Sequence, residues 1–360
     1  MCVGYYNFKM QSKFIFKFFK KFIFILFLGC SSEEALSESE NFLNNNLENK
    51  NIIVAGSTLG DGAVIWINQN KITLIGDSDE ATGLFFHNEK IYVTGWKYGG
   101  TGSIWSLNLD GTDQTLIELE GQFSEGQRII LHDDDIYVGG YFQNGSCYWK
   151  NGEKFNLTTN ADSMSWGIEL DSENNIYNVG YYMKSHNLIP AFWKNKRRVN
   201  LNRPRHGDGE AKYIKILGSK KIIAGTVMAP HNFLGYLTKP TYWTNGARTS
   251  CQIGSVDDGW QNSDVFDLFI DEEENIYLAG FSQDMDSEYP TYWKNCQKYI
   301  LENGETSGVI RSLKVVDSKI ISAGTKSYFP GTPCIWVGDE PFVLEEDDVG
   351  EVWDMLILDK

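Results

Sequence analysis

The chain has 360 residues, 42% of them apolar and 14% aromatic, enough to bury a large core. Its formal charge is −16, but the first 29 residues hold five lysines and no acid, so the remainder sets 27 basic against 48 acidic side chains, or −21. A surface this negative repels nucleic acid and anionic lipid, and no nucleic-acid partner is expected.

The first predicted element is a targeting segment. Met10–Ser32, "MQSKFIFKFFKKFIFILFLGCSS", starts with lysines, continues through the apolar run Phe22–Leu28 and reaches Gly29-Cys30. That run is far shorter than the roughly 20 residues a membrane-spanning helix needs. The pattern predicts a signal peptide over residues 1–29, with Met10 a better start than Met1. Cysteine directly after a small residue resembles the lipobox of bacterial lipoproteins, although Phe27 and Leu28 replace the usual leucine and small residue. The resemblance implies cleavage before Cys30 and lipidation of its thiol, and hence contact with the membrane through that lipid alone. Residues 30–50, "CSSEEALSESENFLNNNLENK", are polar, acidic and Asn-rich and read as a flexible tether. Acids just behind a lipidated cysteine resemble the export tag of surface-exposed lipoproteins in some Gram-negative bacteria. The implied location is the cell envelope, lipid-anchored in the outer membrane.

Residues 51–360 repeat. "IILHDDDIYVGGYFQNGSCYWKNGEKFNLT" (Ile129–Thr158) is followed by "GIELDSENNIYNVGYYMKSHNLIPAFWKNKRRVNL" (Gly167–Leu201). A glycine closes an apolar run at Gly56, Gly95, Gly140, Gly180, Gly225, Gly280 and Gly324. A tryptophan follows each, at Trp66, Trp105, Trp149, Trp193, Trp243, Trp293 and Trp336, in steps of 39 to 50 residues. Each unit offers four short strands: a before an acidic turn, b ending at the glycine, c carrying the tryptophan, and d. Strand b is apolar at successive positions (Ile136-Tyr137, Ile176-Tyr177, Ile276-Tyr277), as expected of a sheet stacked between two others. This is an all-β fold, a seven-bladed β-propeller. The tryptophans share one register, with a bulky residue before each, so they read as packing between blades. Turns such as Asn151-Gly152 and Asn245-Gly246 predict c–d hairpins. The acidic a–b turns lack a calcium-loop pattern and read as solvated turns.

"GIELDSENNIYNVG" and "DLFIDEEENIYLAG" resemble the "aIalDssGNvYvaG" unit of bacterial extracellular propeller repeats of the SBBP and NHL-like kinds, departing at the turn glycine. The resemblance covers residues 51–360 and implies strand a innermost around a central channel. It implies no reaction.

In such a meander the b–c and d–a connections share one face, and here they hold nearly all the length variation: "YYMKSHNLIP", "TVMAPHNFLGYLTKP", "FSQDMDSEYP", "NRPRHGDGEAK" and "GSVDDGWQNSD". These read as long loops on one decorated face. They supply the candidate ligand-binding residues Tyr181, Tyr182, Arg203, Arg205, His206, His231, Tyr236 and Trp260. Trp166 and Trp353, near the start of strand a, lie close to the channel mouth. Aromatic platforms with mixed polar groups suit a glycan or protein ligand; the same rings could instead pack on one another to order the loops. With no nucleophile motif, metal-ligand spacing or phosphate loop, no cofactor or metal is expected and an enzyme is the less favoured reading. A polysaccharide lyase or hydrolase at the channel mouth, and a structural subunit of an envelope assembly, remain open. Cys251 and Cys296 fall in neighbouring blades and are the plausible disulfide pair.

The chain ends "EVWDMLILDK", while the first strand after the tether, Asn51–Gly56, is a b strand. "EVWDMLILD" matches strand a elsewhere, as in "DVFDLFID" (Asp264–Asp271), and is expected to complete the first blade and close the ring.

Overall fold

The structure is a computed structural model that describes residues 47, 49–143, 145–158, 162–205, 207–231, 235–251, 262–284, 287–304, 306–328, 331–346 and 348–360. The predicted signal peptide, Cys30 and most of the tether lie outside these residues. Leu47, within the span read as tether, is 6% exposed and packs in the apolar cluster shared by the first and last blades.

Seven four-stranded antiparallel sheets form a β-propeller. The a strands pack on one another around the ring and so line its axis. They are Gly350–Asp359 in blade 1, Glu80–His87, Ser124–His132, Ser163–Leu170, Gly209–Leu217, Asn262–Ile270 and Gly308–Val316 in blade 7. Blade 1 joins both ends of the chain: Gly350–Asp359 pairs with Lys50–Thr58 from Thr58↔Gly350 to Lys50↔Asp359. The C-terminal strand thereby closes the ring, as its sequence predicts.

The repeated tryptophans are all 0% exposed, and they fill the space between blades. Where their indole N–H is bonded, the acceptor lies on the connection from the preceding blade: Ile75 O for Trp105 (2.7 Å), Glu120 O for Trp149 (3.1 Å), Asn202 O for Trp243 (2.7 Å) and the Glu302 carboxylate Oε1 for Trp336 (2.7 Å). In blades 3 to 6 the c–d turns are two-residue hairpins with both residues at positive φ, as at Asn151 (51°) and Gly152 (87°), whereas blade 2 connects its c and d strands through six residues, 109–114. The hairpin asparagines have a further use: Asn151, Asn195, Asn245 and Asn295 Oδ1 each accept the N–H at the start of strand b, at 2.8–3.0 Å. In the a–b turns, Asp171 and Asp271 accept bonds from the N–H groups two and four residues on and from Tyr177 and Tyr277. These carboxylates are tied into their own turns, beyond the simple solvation expected. Cys251 and Cys296 form a disulfide between blades 5 and 6 (Cα–Cα 4.8 Å), while Cys147 and Cys334 are buried thiols.

Three b–c connections expected as loops are largely ladder instead, that of blade 6 pairing through to Gln283↔Glu288. In blade 4 the b–c hairpin pairs through to Lys184↔Asn187, leaving only Ser185-His186 as the turn. In blade 5 pairing runs to His231↔Gly235. The decorated face is therefore built partly of protruding hairpins. Lys212, counted with the loop residues, lies within a strand.

Candidate functional site

One irregularity recurs in all seven blades. The a–b register slips by one residue opposite the repeated glycine, so strand a carries a β-bulge at the same level throughout. The extra residues are Trp353, Thr82, Gln127, Trp166, Lys212, Phe266 and Arg311 for blades 1 to 7. The bulge also explains the glycine. A Cβ on Gly280 would stand 1.9 Å from the carbonyl oxygen of Asp264, and on Gly180 1.8 Å from that of Met164, with the other five at 1.9–2.1 Å. The bulged backbone occupies the space that a side chain on strand b would need, and it re-aims one strand-a side chain per blade.

Those side chains converge. Lys212 Nζ lies 6.0 Å from the Trp166 ring and 4.5 Å from the Phe266 ring. The Arg311 guanidinium lies 4.0 Å from the Phe266 ring and 4.3 Å from the Trp353 ring. Aromatic and cationic groups thus alternate, Trp166–Lys212–Phe266–Arg311–Trp353, across five successive blades from 4 to 7 and on to 1. Each contact is a cation–π pair worth about 0.5–2 kcal/mol. The other two blades complete the circle with small or enclosed polar groups: Thr82 Oγ1 donates to Gly126 O (2.7 Å), and Gln127 is 8% exposed.

Above the arc, toward the d–a connections, come carboxylates. Lys212 Nζ pairs with Asp264 at 2.5 Å, and Asp264 also accepts from Thr226 Oγ1. Burial pushes the Glu210 carboxyl above its ordinary range, opposed by Lys212 and aided by the nearby Asp264 charge. Glu288 is raised in the same way, by burial first, with Arg311 opposing and Asp264 reinforcing. Glu288 Oε2, Arg311 Nε and Trp353 Nε1 are enclosed yet make no hydrogen bond among the described residues. A polar atom left so costs about 1–3 kcal/mol, which a bound ligand or water would recover.

Below the arc, the next residue of five a strands (Asp354, Arg128, Tyr213, Asp267 and Ser312) joins a polar plug, while blades 2 and 4 place Gly83 and Gly167 there. Arg128 Nη1 meets Asp354 Oδ2 at 2.5 Å and its guanidinium lies 5.0 Å from the Tyr213 ring. Ser312 Oγ bridges Asp267 (2.9 Å) and Asp354 (3.3 Å), and Lys314 Nζ reaches Asp267 at 3.3 Å. Burial would raise the Asp267 carboxyl, but Lys314, Arg128, the Leu313 N–H and Ser312 together hold it below its usual value. Beneath the plug a cavity of about 220 Å³ opens between Phe85, Glu169, Lys215 and Lys314.

Of the residues picked from sequence, Trp166 and Trp353 stand in the arc. Tyr182 is 5% exposed and lies under the Arg198 guanidinium, 3.6 Å from its ring, so its face is enclosed. Tyr181 pairs with Met164 and Pro190 along the blade 4 hairpin. Arg203 donates to the Gly207 carbonyl, closing its own connection, and Arg205 is exposed. His206 and Trp260 lie outside the described residues, as do the side chains of His231 and Tyr236, whose backbones lie in the blade 5 hairpin. Sequence reasoning did not select Phe266 or Arg311 and did not place Lys212, Glu210 and Asp264 together.

No protein-family model matches the chain, and no curated protein matches its sequence. Solved structures do. The chain is similar to the computationally designed Ika8 protein (16% identity, 84% of this chain and 80% of that one, TM-score 0.44). It is similar to a PL25 ulvan lyase bound to a GlcA–Rha3S unit (11%, 75% and 82%, TM-score 0.49) and to the WD40 propeller domain of Doa1 (14%, 79% and 89%, TM-score 0.49). The seven-bladed β-propeller itself is read from this chain's own sheets.

Proposed function

We propose that the chain is an envelope lipoprotein, anchored in the outer membrane through a lipidated Cys30, whose propeller binds a glycan or protein partner at the long-loop mouth of its channel. The observation that carries the binding reading is the arc Trp166–Lys212–Phe266–Arg311–Trp353. Thr82 and Gln127 hold the same bulge in blades 2 and 3, so propeller packing does not require large rings or cations at this position. Rigid elements presenting aromatic faces and unsatisfied polar atoms suit recognition. The test is glycan-array and pull-down screening with wild-type, Trp166→Ala and Trp353→Ala proteins. A ligand lost in both variants supports the reading; a ligand indifferent to both, or none at all, defeats it. The anchor rests on Gly29-Cys30 and is checked by metabolic labelling with an alkyne fatty acid, which should vanish in Cys30→Ser, followed by protease shaving of intact cells.

A second reading, a glycan-cleaving enzyme, draws on the carboxyls of Glu210 and Glu288, both raised by burial, near the Lys212-paired Asp264, since carboxyls held in unlike surroundings suit general acid–base work. New reducing ends or unsaturated-uronate absorbance, lost in Glu288→Gln, would support it; no product across a broad polysaccharide panel would refute it.

A further inference from the structure

Resting on the binding reading, the chemistry of the mouth narrows what it binds. We infer that the mouth takes an uncharged, hydroxyl-rich ligand, namely a neutral sugar residue, docked where Trp353, Arg311 and Glu288 leave two donors and one acceptor unused. Nε1 of Trp353 and Nε of Arg311 each offer a proton, and Oε2 of Glu288 offers lone pairs; all three are enclosed without a hydrogen-bond partner among the described residues. A hydroxyl group both accepts and donates, so adjacent hydroxyls satisfy donors and acceptor together. A carboxylate or sulfate could answer only the donors, and an ammonium only the acceptor.

Charge argues the same way. Lys212 is already paired with Asp264 at 2.5 Å, and Arg311 is held between two rings at 4.0 and 4.3 Å with Glu288 acting on it electrostatically. An anionic ligand would enter among Glu210, Asp264 and Glu288, and burial already disfavours charge on the first and last of these. A cationic ligand would meet Lys212 and Arg311, whose places against the rings a ligand cation would need. A neutral ring meets neither obstacle, and its C–H face can lie on indole.

The experiment uses the mature full-length protein with three matched probe sets: neutral di- to tetrasaccharides of glucose, galactose and mannose, oligouronates, and oligomers of glucosamine. Binding is read by saturation-transfer NMR and calorimetry. The expected result is binding within the neutral set, weakened about tenfold by Trp353→Phe, which keeps the ring and removes the N–H donor, and similarly by Arg311→Lys. Glu288→Leu removes the acceptor and should weaken neutral-sugar binding about as much. Melting curves matching wild type show that the variants fold, and either donor variant alone suffices as the test. Binding confined to oligouronates or glucosamine oligomers overturns the neutral-sugar assignment while leaving a binding mouth. Neutral-sugar binding unchanged in both donor variants places the sugar elsewhere and overturns it too. No binding in any set, joined to failure of the array and pull-down screens, defeats the parent reading as well.

Discussion

Asp354 is the side chain through which the closing strand holds its neighbours. It is 6% exposed, and its oxygens face three other blades. Oδ2 accepts from Arg128 Nη1 of blade 3 at 2.5 Å and from the Leu84 N–H of blade 2 at 2.9 Å; Oδ1 accepts from Ser312 Oγ of blade 7 at 3.3 Å. Replacing Asp354 with alanine removes the anion against which the buried Arg128 guanidinium is set and strands the Leu84 N–H. Breaking a buried pair from one side costs about 3–5 kcal/mol, because an uncompensated charge remains. Asp267 also acts on Arg128, which places the expectation toward the lower end, about 3 kcal/mol. Asp354→Asn keeps the shape and one acceptor, so its cost should be smaller, about 2 kcal/mol. Removing both charges with Arg128→Met and Asp354→Leu should be milder than Asp354→Ala alone, since an apolar pair leaves no orphan charge. The assay is urea unfolding of the mature protein followed by tryptophan fluorescence, compared at equal slope. An Asp354→Ala shift below about 1 kcal/mol, or a double variant worse than the single, would refute the reasoning.

Four further outcomes follow from the same geometry. Deleting Glu351–Lys360 removes most of strand a of blade 1 and bares the Ile52–Ala55 edge, so the truncated protein should aggregate or unfold without cooperativity; a melting curve like the intact protein's would contradict ring closure. Gly280→Ala sets a Cβ 1.9 Å from Asp264 O and should destabilise by about 3 kcal/mol in denaturant titration. Replacing Cys251 and Cys296 with serine frees a loop with a sequence separation of 45, for an expected loss of about 4 kcal/mol that dithiothreitol should reproduce in the wild type. Glu210 supplies a pH dependence. Its folded pKa is raised above the ordinary 4.5, so the stability it contributes is fully present below 4.5 and falls as pH rises through the raised value. Glu210→Gln should flatten that decline and melt higher than wild type at pH 8; a lower melting temperature there would show that the carboxylate is favourably paired.

The fold was legible because two columns of the repeat are forced by packing: tryptophan between blades, and glycine where the bulged strand presses on strand b. The long b–c connections were misread for a physical reason. Pro190, Pro240, Pro290 and Pro333 ordinarily mark the end of a strand. Each instead sits in strand c just beyond the last residue that pairs with strand d, at Ala191, Thr241, Thr291 and Cys334, where a missing N–H interrupts no c–d ladder. The site was hidden differently. A bulge adds a residue to strand a without changing its composition, so alternation along one strand gives no hint of which side chain turns inward. The hint lay across strands. Laying "EVWD" of the closing strand over "DVFD" sets Trp353 on Phe266, and carrying that column through "EAKY", "VIRS" and "MSWG" reaches Lys212, Arg311 and Trp166. The glycine that made the fold countable therefore also marks the site, because it exists to accommodate the bulge that aims these side chains inward. A propeller repeat whose strand-b glycine is kept while its strand-a bulge position varies in chemistry separates the two demands on the sequence: the glycine answers to packing, and the bulged residue is free to answer to a ligand.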